Sequence, residues 1–262
     1  ASCVVQHAPI LSTNISPSSE PLTPEASAFQ FLSFSSQDYY MPEGRSSLST
    51  GILSYGNTNE TILNHGKAAI FKAGSAPLVA SVNATDPFVY IDELLDTIAM
   101  MGFTGIQNVP SVGIIEGKVR NNLESSGMGF DVEVALISEA KRKRGLFTVA
   151  YVFNEEQAVK MVKVQPDVIV LHLGITSTEY KKSNQARTLS SCVHEISHLI
   201  SVLSQKDKTI PILLHGGPFT TSQDITSVCT QVPELAGFCG SGLLNSKLAS
   251  SIVNDLKKVF LA

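Results

Sequence analysis

The sequence predicts one α/β domain folded as a (β/α)8 TIM barrel in which the first strand and helix are irregular. Short apolar runs rich in Val, Ile, Leu and Phe recur along the chain, and amphipathic stretches separate most of them. This alternation is typical of βαβ units around a parallel sheet. The length of 262 residues fits one barrel, which typically takes about 250 residues. A doubly wound open sheet is the alternative.

Eight runs have the composition of parallel strands that are buried on both faces. They are Pro9–Ser12, Ala28–Phe34, Pro77–Asn83, Gly105–Asn108, Leu146–Phe153, Asp167–His172, Ile210–His215 and Gly237–Gly240. Residues 1–27 are expected to form an irregular N-terminal segment with the first strand, and residues 28–262 the remainder of the same barrel domain. Residues 12–25 contain three prolines and many serines, which disfavour a regular first helix.

Helices are expected between the runs. Asp86 followed by Pro87 is a typical helix start, and Asn154 before two glutamates is a typical N-cap. The long polar segment from Ser35 to Asn59 is expected to be the loop after the second strand. Further helices are expected at Val132–Arg144, Glu155–Val164, Leu189–Gln205, Ser222–Gln231 and Ser246–Leu261.

Composition limits the classes of partner. The chain has 19 Lys and Arg against 23 Asp and Glu, a net charge of −4, and no basic stripe, which argues against nucleic acid. No apolar run reaches about 18 residues, so no transmembrane helix is expected. The first residues lack the features of a signal peptide. Four cysteines without a CxxC pattern indicate reduced thiols in a cytoplasmic protein.

Polar residues follow the apolar runs at six of the predicted strand ends. In a barrel the active site lies at the C-terminal ends of the strands, so this recurrence predicts a binding site there. His172 and His215 end the neighbouring sixth and seventh strands. Two adjacent imidazoles could act as acid and base, or could bind a metal. Asp86, Asn108 and Asn154 are expected on the same rim.

Glycine-rich turns follow the last two predicted strands. Bare backbone N–H groups at such turns can approach an anion, which predicts a substrate phosphate or carboxylate at Gly216, Gly217, Ser241 and Gly242. The alternative is a pair of tight turns that require positive φ angles.

The loop after the fourth predicted strand, residues 109–117, is long and punctuated by glycine, as lids are. Carboxylates lie on it or just after it, and Glu116 and Asp131 are candidate Mg²⁺ ligands. No cofactor other than Mg²⁺ is suggested.

One motif suggests a functional site away from the C-terminal ends of the strands. His194, Glu195 and His198 match H-E-x-x-H, which on a helix predicts a zinc hydrolase. The third histidine of a metzincin is missing, and the segment falls in the position of an outer helix. The alternative is one side of an amphipathic helix. No dinucleotide-binding G-x-G-x-x-G follows a first strand, and no G-x-S-x-G elbow occurs.

Several ordered motifs resemble the phosphoenolpyruvate-hydrolase-like TIM-barrel family, over about residues 28–260. They are Gly44–Leu48, Tyr55–Asn57, Thr85–Pro87, Gly105–Gly113, Asn122–Glu124, Gly127–Glu133, Tyr151–Asn154, His172–Gly174 and His215–Pro218. The same family forms the C-terminal half of a larger plant protein that confers resistance to a virus, and of fungal relatives.

The resemblance implies a barrel related to the phosphoenolpyruvate mutase and isocitrate lyase group, a small enolpyruvate-like or 2-oxo-acid-like substrate, and assembly into homo-oligomers. The sequence departs from the family at the first loop. Residues Ser12–Ser18 stand where the family has a Gly-Ala-Gly-x-Gly loop. Either the substrate differs, or catalysis has been lost or repurposed.

Two hypotheses follow. The first is a hydrolase or C–C lyase that acts through an enol or enolate on a small anionic carbonyl or enol-ester substrate. His172 and His215 are its acid and base, and Asn108 and Asn154 donate hydrogen bonds to the oxyanion. Asp86 orients the site and Arg45 clamps the anion. The second is a non-catalytic barrel that binds a metabolite or a protein.

Overall fold

A computed structural model describes residues 10–14, 31–35, 56–174, 188–219 and 221–240. Within these ranges, parallel strands pair in the order of the sequence, and the last strand pairs again with the first, which is the strand order of a closed barrel. The strands are β1 Ile10–Asn14, β2 Phe31–Phe34, β3 Leu78–Ser81, β4 Gly105–Gln107, β5 Phe147–Val152, β6 Val168–His172, β7 Ile212–His215 and β8 Gly237–Gly240.

The predicted α/β class with a parallel sheet is confirmed, and each predicted strand run overlaps an observed strand. The residues after β1 and after β8 lie outside the described ranges, so eight complete β/α units are not shown. Of the predicted irregular segment 1–27, only the strand at residues 10–14 is described, and the predicted helix Ser246–Leu261 lies outside the described residues.

Seven α-helices occur in the described part of the chain. They are α1 Thr58–Ala73, α2 Ile91–Met101, α3 Gly117–Ser125, α4 Phe130–Arg144, α5 Glu155–Val162, α6 Leu189–Ser204 and α7 Ser222–Gln231, with a short 3-10 turn at Val112–Ile114. None of these helices has the length and apolar character needed to cross a membrane.

The helix starts show which capping signals were correct. The Asn154 side chain accepts a hydrogen bond from Gln157 N at 3.0 Å, so the predicted cap of α5 is confirmed. The predicted start at Asp86 is wrong, because α2 begins at Ile91 after a turn in which Asp86 accepts from Phe88 N. Helix α1 was not predicted; its cap is Asn57, which accepts from Glu60 N.

Side-chain alternation along the strands separates two apolar layers. One layer packs between the sheet and the helices. The other fills the barrel interior, and consists of Phe31, Val79, Val149, Tyr151, Val168, Val170, Leu213 and Cys239. On the same inward face, the positions nearest the C-terminal strand ends carry polar side chains instead. These positions hold Ser33, Ser81, Gln107, His172 and His215.

Strand β4 requires glycine at its first residue. A Cβ at Gly105 would collide with the carbonyl oxygen of Phe147 and lie 2.9 Å from the Phe147 Cβ. The obstacle is the backbone of the neighbouring strand β5, which cannot move without breaking the sheet. The close approach of β4 and β5 therefore depends on the absence of a side chain at Gly105.

We expect Gly105→Ala to lower the free energy of unfolding by about 3 kcal/mol, the upper range for a methyl group forced into a packed interior. The control is Gly127→Ala, which has φ +76° and open space around its Cβ, so only backbone strain of about 1 kcal/mol is expected. Urea denaturation of both variants measures the difference. Equal losses would show that the contact with Phe147 does not restrict β4.

Candidate functional site

The C-terminal end of the barrel interior holds a group of polar and aromatic side chains from adjacent strands. Strand β5 contributes Tyr151, β6 contributes His172 and β7 contributes His215, and the three rings contact one another. Phe153, just after β5, packs against His172 with ring centroids 4.9 Å apart. The structure thus brings together the two histidines that the sequence predicts as acid and base.

The two imidazole rings lie nearly parallel, with centroids 4.8 Å apart and a 30° angle between their planes. Their strands pair in register, so that His172 lies directly opposite His215. Both side chains are mostly buried. Adjacent inward positions on parallel strands impose this proximity, because paired residues project to the same face.

Backbone hydrogen bonds give the two histidines opposite neutral tautomers. His172 Nδ1 accepts from Gly174 N at 3.1 Å, so its ring proton is on Nε2. His215 Nδ1 lies 2.7 Å from Cys239 O, which can only accept, so His215 carries its proton on Nδ1. The remaining Nε2 atom is therefore a donor on His172 and a lone-pair acceptor on His215.

Burial keeps both rings uncharged at neutral pH. Burial lowers the pKa of His172 to about 3, and the neighbouring His215 adds to the decrease. Burial also lowers the pKa of His215 to about 4, although its hydrogen bond to Cys239 opposes the shift. An imidazole in a poorly hydrated site is less stable in its charged form.

Sequence reasoning missed Tyr151. Its ring centroid is 5.6 Å from that of His215, and its hydroxyl lies 3.2 Å from the Cys239 sulfur. The side chain is 4% exposed. The alternation of Val149, Tyr151 and Phe153 along one strand could have identified it as an inward residue close to the histidines.

Asn108 does not serve the role that the sequence suggested. Its Nδ2 donates to Glu133 at 2.6 Å and to the Tyr151 carbonyl at 3.1 Å, while its Oδ1 accepts from Tyr151 N at 2.7 Å. Both ends of the amide are used to hold strand β5. The side chain is therefore a support for Tyr151, and is not available to an oxyanion.

Glu133 is the buried centre of this support. It accepts from Asn108, from Ser111 Oγ at 2.7 Å and from Val112 N at 2.8 Å. Burial raises the pKa of Glu133 to about 7, although the three hydrogen bonds oppose the shift. The carboxyl group connects helix α4 to the end of β4.

The loop at residues 109–117, predicted as a lid, is held by the same network. Besides the contacts to Glu133, the Val112 carbonyl accepts from Arg120 at 3.0 Å and the Gly113 carbonyl accepts from Gln157 at 3.3 Å. The Phe153 ring leaves no room for a Cβ at Gly113. These bonds make the segment an anchored wall of the site.

Two other predicted rim residues have structural partners. Asp86 is buried and accepts from Asn59 on α1 at 3.0 Å and from Phe88 N at 2.9 Å, so it fixes the loop after β3. Asn154 is exposed and caps α5. Neither side chain has a recorded contact with the histidine pair.

The turn at Gly216 and Gly217 fits the alternative of a tight turn. Their φ angles are +76° and +71°, and a Cβ at Gly216 would collide with the Gly174 carbonyl. Gly217 N donates to that carbonyl at 3.1 Å, so this N–H is already used. Arg45, Ser241 and Gly242, the other predicted anion-binding residues, lie outside the described residues.

The two predicted Mg²⁺ ligands are not brought together with other ligands. Glu116 is exposed at the start of α3, and Asp131 forms an ion pair with Lys160 at 2.9 Å. Among the residues that the structure describes, no three His, Cys, Asp or Glu side chains form a group that could hold a metal ion.

The H-E-x-x-H segment lies on the outer helix α6. His194 and His198 are exposed there, and His198 Nε2 lies 2.8 Å from a Glu155 carboxyl oxygen on α5. This contact is an ordinary surface pair between neighbouring helices.

A profile of the phosphoenolpyruvate hydrolase-like family matches residues 22–260. The chain belongs to this family. The ToMV resistance protein Tm-1 of tomato, Solanum lycopersicum, is 33% identical over 201 residues, which cover 76% of the chain and 26% of the tomato protein. The chain thus spans about a quarter of that curated relative.

Solved structures support the fold of this phosphoenolpyruvate hydrolase-like chain. Thiamine phosphate pyrophosphorylase from Pyrococcus furiosus superimposes with a TM-score of 0.52 at 12% identity, covering 98% of this chain and 97% of that one. A Burkholderia cenocepacia protein described as a lyase/mutase also gives a TM-score of 0.52, at 16% identity, covering 94% and 81%. At these identities the likeness concerns the fold alone.

Acid should destabilise the protein through the two buried histidines. Each folded-state pKa lies below the ordinary value of 6.5, so the unfolded chain binds protons first as the pH falls. The stability that the two neutral rings contribute is fully present above about pH 6.5. It is lost toward pH 4, at up to about 1.4 kcal/mol per pH unit for each ring. Glu133 has the opposite effect. Because its pKa is raised, its contribution to the free energy of unfolding falls as the pH rises from 4.5 to about 7.

Urea denaturation at pH 7, 6 and 5 measures this dependence. His215→Asn and His172→Asn keep an amide in place of the bonded ring nitrogen, and each should reduce the loss of stability between pH 6.5 and 5. His194→Asn, at an exposed site on α6, should follow the wild type. If the histidine variants lose stability in acid as steeply as the wild type, other groups control the dependence.

Proposed function

We propose that the protein is a TIM-barrel hydrolase or C–C lyase that acts through an enol or enolate on a small anionic carbonyl or enol-ester substrate. His172 and His215 are the acid–base pair. The observation that carries the proposal is the pair of backbone hydrogen bonds that assign opposite tautomers to His172 and His215, at the C-terminal ends of neighbouring strands where barrel active sites are found. Membership of the phosphoenolpyruvate hydrolase-like family agrees with it.

His215 is suited to be the general base. Its Nδ1–H is held by the Cys239 carbonyl, so the Nε2 lone pair is the free acceptor. As a C–C lyase it would take the proton of a hydroxyl group β to the substrate carbonyl. That hydroxyl becomes a carbonyl as the adjacent C–C bond breaks, and the electron pair of the broken bond stays on the other fragment as an enolate. For an enol ester it would take the proton of an attacking water while the water oxygen bonds to the ester carbonyl carbon. The bond from that carbon to the enol oxygen then breaks, and the departing enolate takes the proton back from His215.

His172 is suited to be the electrophile. Its Nε2–H would donate a hydrogen bond to the substrate oxygen on which negative charge develops. A neutral imidazole is sufficient for this role, which agrees with the pKa of about 3. Tyr151, in ring contact with both histidines, shields them from water.

The remaining parts of the proposal concern the binding of the anion, the cofactor, the cellular location and the assembly. Arg45, Gly216, Ser241 and Gly242 would bind the anionic group, and Mg²⁺ would be the only cofactor. The fold would be completed as (β/α)8. The absence of a CxxC pattern among the four cysteines of the sequence agrees with a cytoplasmic protein, and exposed aromatic residues such as Phe88 and Tyr90 agree with a homo-oligomer.

A metabolite-binding barrel without catalysis is the second candidate. It is favoured by the Asn108 amide and the Gly217 N–H, two groups that an enzyme would direct at an anion but that are already hydrogen-bonded within the protein. The same neutral histidines would then only bind the ligand.

The test is a thermal-shift screen of carboxylates, phosphates, 2-oxo acids and enol esters, each with and without Mg²⁺, followed by product analysis for every binder. A ligand at a hundredfold excess over its Kd stabilises the fold by about 2.7 kcal/mol, which is readily measured. Binding with turnover supports the enzyme. Binding without turnover supports the second candidate, and no binding contradicts both.

For a substrate found in this way, His215→Asn should lower kcat at least about 100-fold, the usual contribution of a general base. The amide preserves the bond to the Cys239 carbonyl but lacks the basic nitrogen, so the melting temperature at pH 7 should change little. His194→Asn is the matched control and should retain full activity. A His215→Asn enzyme with wild-type kcat would remove His215 from the chemistry.

The pH profile tests the same assignment. Since the pKa of His215 is about 4, the base stays unprotonated in the free enzyme over the usual range of histidine titration. We expect kcat/KM to fall only below about pH 4 to 5. An inflection near pH 6.5 that disappears in His215→Asn would contradict the assignment. Rapid assays over pH 4 to 8, corrected for unfolding, measure it.

A further inference from the structure

The Gln107 side chain on β4 is buried without a complete set of hydrogen bonds. It is 2% exposed, and its Nε2 donates to Ser81 Oγ on β3 at 2.7 Å. Its Oε1 accepts no hydrogen bond from any residue that the structure describes. A buried carbonyl oxygen normally has a partner, because removal from water without one costs free energy.

A second buried glutamine, by contrast, uses both ends of its side-chain amide in hydrogen bonds. Gln157 on α5 is 1% exposed; its Oε1 accepts from Phe153 N at 2.9 Å and its Nε2 donates to the Gly113 carbonyl at 3.3 Å. Both ends of that amide hold protein segments together. Gln107 uses one end only, so holding β3 to β4 does not account for a glutamine there.

Gln107 and Ser81 lie on the inward face, at the polar end of the barrel interior. Ser81 is fully buried two residues after the interior Val79, and its Cα pairs in register with that of Gln107. Because Ser81 Oγ accepts from Gln107, its hydroxyl proton can rotate toward another acceptor. The pair thus presents one acceptor oxygen and one hydroxyl donor side by side.

A neighbouring acceptor and donor are complementary to a hydroxyl group. A ligand hydroxyl can donate to Gln107 Oε1 while its oxygen accepts from Ser81. A carboxylate or phosphate oxygen has no proton to donate, so it would face the Gln107 oxygen as a second acceptor. An ammonium group would leave the Ser81 donor without a partner.

We propose that Gln107 and Ser81 bind a hydroxyl group of the substrate, and that the substrate is therefore a hydroxylated 2-oxo acid or a similar hydroxylated anion. This rests on the proposed function, which places the reacting carbonyl at His172 and His215 on β6 and β7. The pair lies on β3 and β4, so the hydroxyl group is bound away from the reacting carbonyl and determines specificity.

The test compares matched probes that differ by one hydroxyl group: pyruvate with hydroxypyruvate, and 2-oxobutanoate with 4-hydroxy-2-oxobutanoate. Isothermal titration gives the Kd of each for the full chain. We expect the wild type to bind at least one hydroxylated member about tenfold tighter or better, since a buried site built for a hydroxyl group rejects the analogue that lacks it.

Gln107→Met keeps the unbranched shape and removes the acceptor oxygen. It should weaken binding of the preferred hydroxylated probe about tenfold, so that the preference falls below about twofold, and it should leave the Kd of the matched probe without the hydroxyl nearly unchanged. An equal loss for both members of the pair would mean that Gln107 shapes the barrel, which would overturn the proposal.

Stability without ligand gives an independent result. In Ser81→Ala/Gln107→Met both partners become apolar, so the melting temperature should be no lower than that of the wild type. Gln157→Met is the matched control, and should lower it because two protein partners lose their bonds. A large decrease in the double variant would assign the pair a structural role and overturn the proposal.

Failure of the proposal can be separated from failure of the proposed function. If the wild type binds both members of each pair equally, a water molecule fills the place assigned to the hydroxyl group; the proposal is then wrong while the anion-binding site stands. If the wild type binds no member of either pair, the result counts against both.

Discussion

Exclusion of water from the barrel interior is the constraint on which the candidate site depends. Inward side chains have little access to solvent, so most polar groups among them must find a partner inside the barrel or remain unsatisfied. His172 and His215 meet this condition through backbone partners, and these partners assign a different tautomer to each ring. The same exclusion keeps the rings neutral and thereby makes one a donor and the other an acceptor.

The wall around this interior is supported from outside by one buried carboxyl group. Glu133 lies on α4, yet its hydrogen bonds reach Asn108 at the end of β4 and the loop at residues 111–112. Asn108 passes the connection on to both backbone groups of Tyr151. The position of the aromatic ring beside the histidines thus depends on a residue that does not itself contact them.

The sequence predicted the strands well because burial on both faces leaves a compositional mark that does not depend on neighbours. His172 and His215 were found for the same reason, since a polar residue at the end of an apolar run is conspicuous. The hydrogen bonds of Asn108 could not be predicted, because its partner Glu133 is 25 residues away and no local pattern connects the two residues. Gln107 lay at one of the strand ends that were predicted to be polar. Its incomplete set of hydrogen bonds could not be predicted, because it depends on the register of β3 and β4.

The contact between Gly216 and the Gly174 carbonyl has a consequence for how the site could diversify. Because Gly217 N binds that carbonyl and no side chain fits between the two turns, the ends of β6 and β7 are joined at a fixed distance. Gly174 is thereby held against the turn after β7. Sequences of other lengths after Gly174 could be accommodated without altering the separation of the two imidazoles, so the same histidine pair could face ligands of quite different shape.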